Sequence, residues 1–241
     1  MSDHPKRAPQ SAFVLHSYPY RESSLVIEAF TREGGRVAMV ARGARRPKSN
    51  LRGALLAFQP LHLSWYGRAE LKTLHAAERV GGYFKLEGLA LLCGFYVNEL
   101  TMKLLARDDP HERLFEHYEA TLQRLAHGAM PQTIALRLFE RDLLRELGYA
   151  FELEREAKTA QPVVAELDYA YELEHGPTPA PASLPARRRI RGQSLLDLAR
   201  GEFSDPVSLQ QSKLLLRMLI DHYLGAQHLN TRQLLRDLQQ I

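Results

Sequence analysis

Between Gly35 and Ala69 the chain reads GRVAMVARGARRPKSNLRGALLAFQPLHLSWYGRA, with seven cations and no Asp or Glu. The cations are Arg36, Arg42, Arg45, Arg46, Lys48, Arg52 and Arg68, and Lys72 follows shortly after. Guanidinium and ammonium groups gathered this way break no bonds. Their chemistry is electrostatic: they bind a polyanion and release its counterions. The bland alternative is a solvated turn. A basic, Gly- and Pro-punctuated connection between short strands points instead to nucleic acid, with phosphate contacts that carry no base sequence. Aromatic side chains could add base stacking. Trp65 is in phase with Leu61 and Leu63 and is expected in the core, while Tyr66 is out of phase and is expected at the surface; Tyr18 is a further candidate.

Side chains suited to covalent or metal chemistry are thinly spread. The ten histidines are scattered, and neither His111/His117 nor His222/His228 has metal-ligand spacing on one helical face. There is no P-loop, dinucleotide fingerprint or nucleophile elbow. The single cysteine, Cys93, lies on an apolar stripe and is expected to be a buried small hydrophobe. One cysteine excludes an intrachain disulfide and a cysteine-based zinc site. The expectation is therefore no enzyme, no catalytic residue, no metal and no cofactor.

The elements that must position the cations follow from periodicity and charge. Through Gly82 the chain has 13 Lys/Arg against 6 Asp/Glu, and the remainder has 19 against 22, so a basic N-terminal module precedes a slightly acidic rest. Strand character recurs at Ala12–His16, Leu25–Phe30, Arg36–Ala41, Leu61–Trp65 and Glu70–His75, separated by breakers such as Tyr18-Pro19 and Gly34-Gly35. Five short strands suit a small closed barrel, which has no open edges, and the OB-fold is the commonest such architecture. After Gly81-Gly82 the period becomes helical, and Asp109-Pro110 and Pro131 open further helices. Residues 152–174 hold seven acids against Arg155 and Lys158, four prolines follow by Pro185, and a hairpin using Tyr169 and Tyr171 is possible there. The arginines at 187, 188, 189 and 191 either extend a nucleic-acid track or balance those acids. No window reaches the roughly 18 apolar residues of a membrane span, and no signal-peptide run opens the chain.

The expected fold class is α+β, with an N-terminal five-stranded OB-fold β-barrel and then an α-helical domain carrying a loop-rich insertion. The boundaries read as a tail at 1–10, the barrel at 11–82 and helices at 83–241, with the insertion at 150–191.

The segments AFVLHSYPYRESSLVIEAFT (12–31), GRVAMVARGARRPKSNLRGALLAFQPL (35–61), GRAELKTLHAAE (67–78), YVNEL (96–100), ALRLFERDLLRELGY (135–149) and LRMLIDHYLGAQHLNTRQLLRDL (216–238) resemble the RecO family of bacterial recombinational repair proteins. The resemblance covers nearly the whole chain in order. It implies a cytoplasmic, nucleoid-associated, monomeric mediator of DNA repair and recombination. Such a protein binds single- and double-stranded DNA, anneals complementary strands and docks on the C-terminal tail of SSB. It works with RecR to load RecA on SSB-coated DNA. On this reading Arg36, Arg42, Arg45, Arg46, Lys48, Arg52, Arg68, Lys72 and Tyr66 face DNA.

The SSB tail is acidic and ends in a hydrophobic residue, so its receptor needs an apolar pocket rimmed by cations. Arg137, Arg141 and Arg145 lie at i, i+4 and i+8 beside Leu138 and Phe139, and the resemblance carries a tail-binding arginine onto Arg137. A solvated basic helix face is the alternative. Leu138 departs from relatives that carry a second arginine there, and residues 150–191 lack the four zinc-binding cysteines of many relatives. A pure protein adaptor, gripping acidic tails with the basic loop, is the alternative from another functional class.

Overall fold

The computed structural model describes residues 8–149, 151–203 and 205–238. Of the expected tail, residues 1–7 lie outside the described residues, and Gln10 already opens the first strand. Five strands follow: β1 Gln10–Tyr20, β2 Ser24–Thr31, β3 Gly35–Ala41, β4 Leu61–Tyr66 and β5 Leu71–Arg79. They close into a barrel in the order β1-β2-β3-β5-β4. The β3–β5 pair is parallel, and Gln10–Ala12 against Leu61–Leu63 completes the closure. This is the OB-type barrel read from the strand pattern. Its interior is filled by Val14, Ile27, Met39, Leu61, Leu63 and Trp65.

Among the described residues the α-helices are α1 Gly88–Leu104, α2 Glu112–His127, α3 Gln132–Glu146, α4 Gly192–Arg200, α5 Pro206–Leu224 and α6 Asn230–Leu238. The chain forms two compact units, one of residues up to His127 together with those from Leu229 on, the other of Gly128–His228. In the second unit, part of the expected loop-rich insertion is ordered as a small sheet. Strands β6 Asp168–Glu172, β7 Gly176–Pro179 and β8 Ile190–Arg191 pair in the order β7-β6-β8, and β6–β7 is the hairpin carrying Tyr169 and Tyr171.

In the first unit, the wall made by β1 and β2 is covered on both faces. Ala12 and Val14 face the barrel interior, while Phe13 and Phe30 pack outward on α2. Phe13 lies 5.5 Å from Phe115 and 5.2 Å from Tyr118, and Phe30 meets Tyr118 edge-on at 5.8 Å. Offset and edge-to-face pairs of this kind each add about 0.5–1.5 kcal/mol beyond their buried area. Double burial also explains why AFVL is a continuous apolar run rather than an alternating one.

A β-bulge between Val14 and His16 takes Leu15 out of register. The Leu15 carbonyl accepts a hydrogen bond from Asn98 Nδ2 on α1 at 2.9 Å, and Asn98 Oδ1 accepts one from the Tyr118 hydroxyl of α2 at 2.6 Å. Burial pushes the Tyr118 hydroxyl well above the ordinary phenol range, which keeps it a donor. One buried amide thus joins β1, α1 and α2.

Beyond the bulge, β1 pairs only with β2 among the described residues, and its other edge carries no strand there. That is why the strand runs through Pro19 to Tyr20: a missing N–H is harmless on an open edge. Tyr18-Pro19, read from sequence as a break, lies inside a strand.

Replacing Asn98 by Leu removes the donor to a buried carbonyl, at a cost of about 1–3 kcal/mol. Thermal melting is expected to show a Tm fall on the order of 5 °C. Tyr118→Phe, which keeps the ring, should cost less, and an unchanged Tm in Asn98→Leu contradicts the role given to this amide.

Candidate nucleic-acid interface

The connection from β3 to β4 carries most of the acid-free cations, and it is folded rather than slack. Gly43 adopts φ +67°, a left-handed turn that favours glycine. Successive turns then close through Arg46 N–H to Gly43 O, Ser49 N–H to Arg46 O and Arg52 N–H to Ser49 O, at 3.0–3.2 Å. Ala44 and Leu55 are buried in the barrel core, and Leu51 packs against it. Between these apolar anchors Arg45, Arg46, Lys48 and Arg52 are exposed, as is Arg42 just before them. Arg45 also ties the turn to the β1–β2 hairpin, its N–H donating to Ser23 O at 2.9 Å and its guanidinium to Arg21 O at 3.3 Å. None of the five is in an ion pair among the described residues. Like charges held this close repel within one Debye length, and an arriving phosphate relieves that repulsion.

The other expected DNA-facing cations are placed differently. Lys72 is 7% exposed and its Nζ meets Asp108 at 2.7 Å. Arg36 donates to Leu105 O at 2.9 Å and to the buried carboxylate of Glu28 at 3.2 Å. Glu28 also pairs with Arg107, which pairs in turn with Glu70. Three cations and three carboxylates therefore neutralise one another, and Arg36 and Lys72 belong to that internal network rather than to an open surface. Arg68 is exposed but stands apart. The register puts Leu71 beside Ala38, so Arg68 belongs to the end of the barrel where Gly35 opens β3, away from the turn that follows Ala41.

Among the aromatics, Trp65 is 1% exposed and belongs to the core, as its phase predicts. Tyr66 is half-buried and edge-on to His75 at 6.5 Å. The aromatic most open to solvent on the strands is Tyr18, 43% exposed beside His16 on the outer half of β1. Sequence reasoning missed Arg21, an exposed cation at the hairpin turn that Arg45 touches. The adjoining acid, Glu22, makes the local sequence read as neutral, and the Arg45 contact is what joins Arg21 to the basic turn.

On α3 the arginine stripe is largely occupied. Arg137 is 6% exposed and grips Glu140, which is also buried, with Nε at 2.6 Å. Arg141 donates to Asp142 at 2.7 Å and to the carbonyls of Leu198 and Ala199 at 3.3 Å, and Arg145 reaches Ala199 O at 3.4 Å. Those carbonyls end α4, where a helix has unpaired acceptors and partial negative charge. Burial, and then the neighbouring Arg141, hold Arg145 below the ordinary arginine pKa. Phe139 is fully buried and Leu138 nearly so. The four expected tail-binding residues therefore form a buried helix face with its ion pairs, not an apolar pocket rimmed by open cations. Helical spacing cannot distinguish the two.

This division is measurable by thermal melting. Arg137→Ala and Arg36→Ala each remove a partner from a buried carboxylate and should cost roughly 2–4 kcal/mol. Arg46→Ala and Arg52→Ala should stay within about 0.5 kcal/mol. Equal Tm values in the two sets contradict the placement.

Residues 6–83 match the family Recombination protein O N terminal, and residues 86–233 match Recombination protein O C terminal. The chain is 49% identical over 240 residues to the DNA repair protein RecO of Nitrosospira multiformis, covering 99% of each chain. It is 52% identical over 237 residues to DNA repair protein RecO of Burkholderia pseudomallei, covering 97% of this chain and 85% of that one. With the protein of the same name from Aromatoleum aromaticum it shares 49% identity over 241 residues, the full length of both. Two family matches spanning the barrel and the helices, and full-length identity near one half, establish that the chain belongs to the RecO family of DNA repair proteins.

Proposed function

We propose that this protein binds single- and double-stranded DNA through the anchored turn of the barrel and acts as a recombination mediator, annealing complementary strands and, with RecR, helping RecA onto SSB-coated DNA. One observation carries the DNA-binding part: Arg42, Arg45, Arg46, Lys48 and Arg52 are exposed on a turn pinned by Ala44, Leu51 and Leu55, with no carboxylate paired to them among the described residues. Arg21 adds a sixth cation across the Arg45 contact. Phosphate neutralisation by such a surface ignores base sequence, as repair at an arbitrary lesion requires. It also lowers the repulsion between two strands brought together, which is what annealing needs. Tyr18 and Tyr66 are the aromatic faces available for bases.

Annealing, RecR, RecA loading and capture of the SSB tail rest on family membership. For the tail, the internal partners of Arg137 and Arg141 give Arg137→Ala a stability cost that a binding assay must be corrected for.

The turn is tested with Arg45→Ala, Arg46→Ala and Lys48→Ala combined. Oligonucleotide affinity at low salt should fall about ten- to a hundredfold, and the salt slope should become shallower by about 2, near 0.7 per lost phosphate contact. Fluorescence anisotropy across a salt series measures both. Unchanged affinity would favour an adaptor that grips acidic protein tails and would sink the DNA assignment of this turn.

A further inference from the structure

The outer face of the barrel carries a strip of side chains that stays open to solvent. Ile27, Met39, Trp65 and Leu74 fill the interior, so on alternating strands their neighbours Val26, Val40, Tyr66 and Thr73 point outward. Strand register lines these up. Tyr18 pairs with Val26, Val26 with Val40, Val40 with Thr73, and Thr73 with Tyr66. Paired residues share a face, so one row crosses all five barrel strands with a tyrosine at each end. β4 meets β1 only at Gln10–Ala12 against Leu61–Leu63, so the row climbs along the barrel instead of closing into a ring. Four strand spacings of about 4.8 Å make it roughly 19 Å long.

The two long sides of this row differ. On one side His16 pairs with Glu28, whose carboxylate is already held by Arg36 and Arg107. On the other side Tyr20 pairs with Ser24, the exposed Arg42 follows Val40 by two residues, and Arg21 lies over the Tyr20 ring at 5.1 Å. Between the end tyrosines the surface is low, because Val26, Val40 and Thr73 are small and half-buried. Each end ring is braced by an imidazole: His16 is edge-on to Tyr18 at 4.3 Å, and His75 to Tyr66 at 6.5 Å.

We propose that this strip holds a short unpaired run of DNA, with phosphates along Arg42 and Arg21 and end bases stacked on Tyr18 and Tyr66, and that it is what distinguishes a single strand from a duplex. The inference rests on the reading that the adjoining turn binds DNA. Cations of the turn meet the phosphates of either form and do not tell them apart. An aromatic face does, because a base stacks on it only after leaving its partner strand. The length of the row suits about four nucleotides, the low end of what one such barrel holds. Every base has an aromatic face, so the strip is indifferent to sequence. When a complement pairs with the held strand, the bases leave the tyrosines and the duplex keeps only the cation contacts. The strip therefore favours release of the annealed product.

The test uses the full-length protein and three fluorescein-labelled ligands of equal length: a single-stranded thymidine oligonucleotide, a strand of tetrahydrofuran abasic residues that keeps the phosphates and lacks the bases, and a blunt duplex. Anisotropy at low salt should show the wild type binding the abasic strand about tenfold or more weaker than the thymidine strand. Tyr18→Leu combined with Tyr66→Leu should weaken the thymidine strand by a similar factor and leave the abasic strand and the duplex within about twofold. Unchanged duplex affinity also shows that this variant is folded. Tyr18→Phe combined with Tyr66→Phe keeps both rings and should bind all three ligands as the wild type does. Replacing Arg45, Arg46 and Lys48 by Ala should instead weaken all three together. If that variant binds normally while the leucine pair loses the thymidine strand, the reading of the turn fails and the strip stands. Equal wild-type affinity for the thymidine and abasic strands, thymidine binding unaffected by the leucine pair, a loss shared equally by the duplex, or a loss in the phenylalanine pair overturns the proposal. Wild-type protein that binds none of the three overturns it together with the reading it rests on.

Discussion

The bulge in β1 takes Leu15 out of register, and the architecture of the first unit turns on how its buried carbonyl is met from α1. A buried carbonyl left alone costs as much as a lost hydrogen bond. Asn98 donates to it and accepts from Tyr118, so the barrel wall, α1 and α2 are fixed by one amide. Phe13 and Phe30 then supply the apolar contact that makes the docking favourable. With α1 and α2 in place, their linker lies on the start of β3. Asp108 N–H donates to Arg36 O at 2.9 Å, and Gly35 is approached so closely by Asp109 O that a Cβ there would sit 1.9 Å from it. That linker brings Arg107 and Asp108 to Glu28, Glu70, Arg36 and Lys72. Helix docking therefore decides which cations of the barrel are neutralised and which stay available.

Two physical classes of cation result. Arg36 and Lys72 sit against carboxylates in surroundings where an unpaired charge is costly, so they stabilise the fold and have little field to offer a ligand. The turn after Ala41 has its apolar residues in the barrel core and its charges in water, where an ammonium or guanidinium needs no partner. Only the second class can exchange water and counterions for phosphate.

Much of this was legible in the residues. Strand runs and breakers gave the barrel, the change of period gave the helices, though α2 begins at Glu112 rather than at Asp109-Pro110, and the phase of Trp65 gave its burial. Pairing between distant residues was not legible. Arg36 is cancelled by Glu28 and Lys72 by Asp108, at separations of 8 and 36 residues, and a window from Gly35 to Ala69 contains neither acid. On α3, the spacing of Arg137, Arg141 and Arg145 reports a common stripe but not what lies against it. The acids of 152–174 likewise are not simply solvated. Glu152 accepts the N–H groups of Leu153, Glu154 and Arg155, and Glu156 is buried with its carboxylate bonded to Thr159. Such local turns are built by acids whose roles composition cannot show.

The central claim is that the barrel turn binds DNA by phosphate neutralisation. The most direct measurement is the salt dependence of wild-type affinity for two single-stranded oligonucleotides of equal length, one homopolymeric and one of mixed sequence. Six open cations at about 0.7 counterions each predict parallel log–log lines with a slope of roughly −4 for both. A slope near zero, or slopes that differ with sequence, contradicts the account.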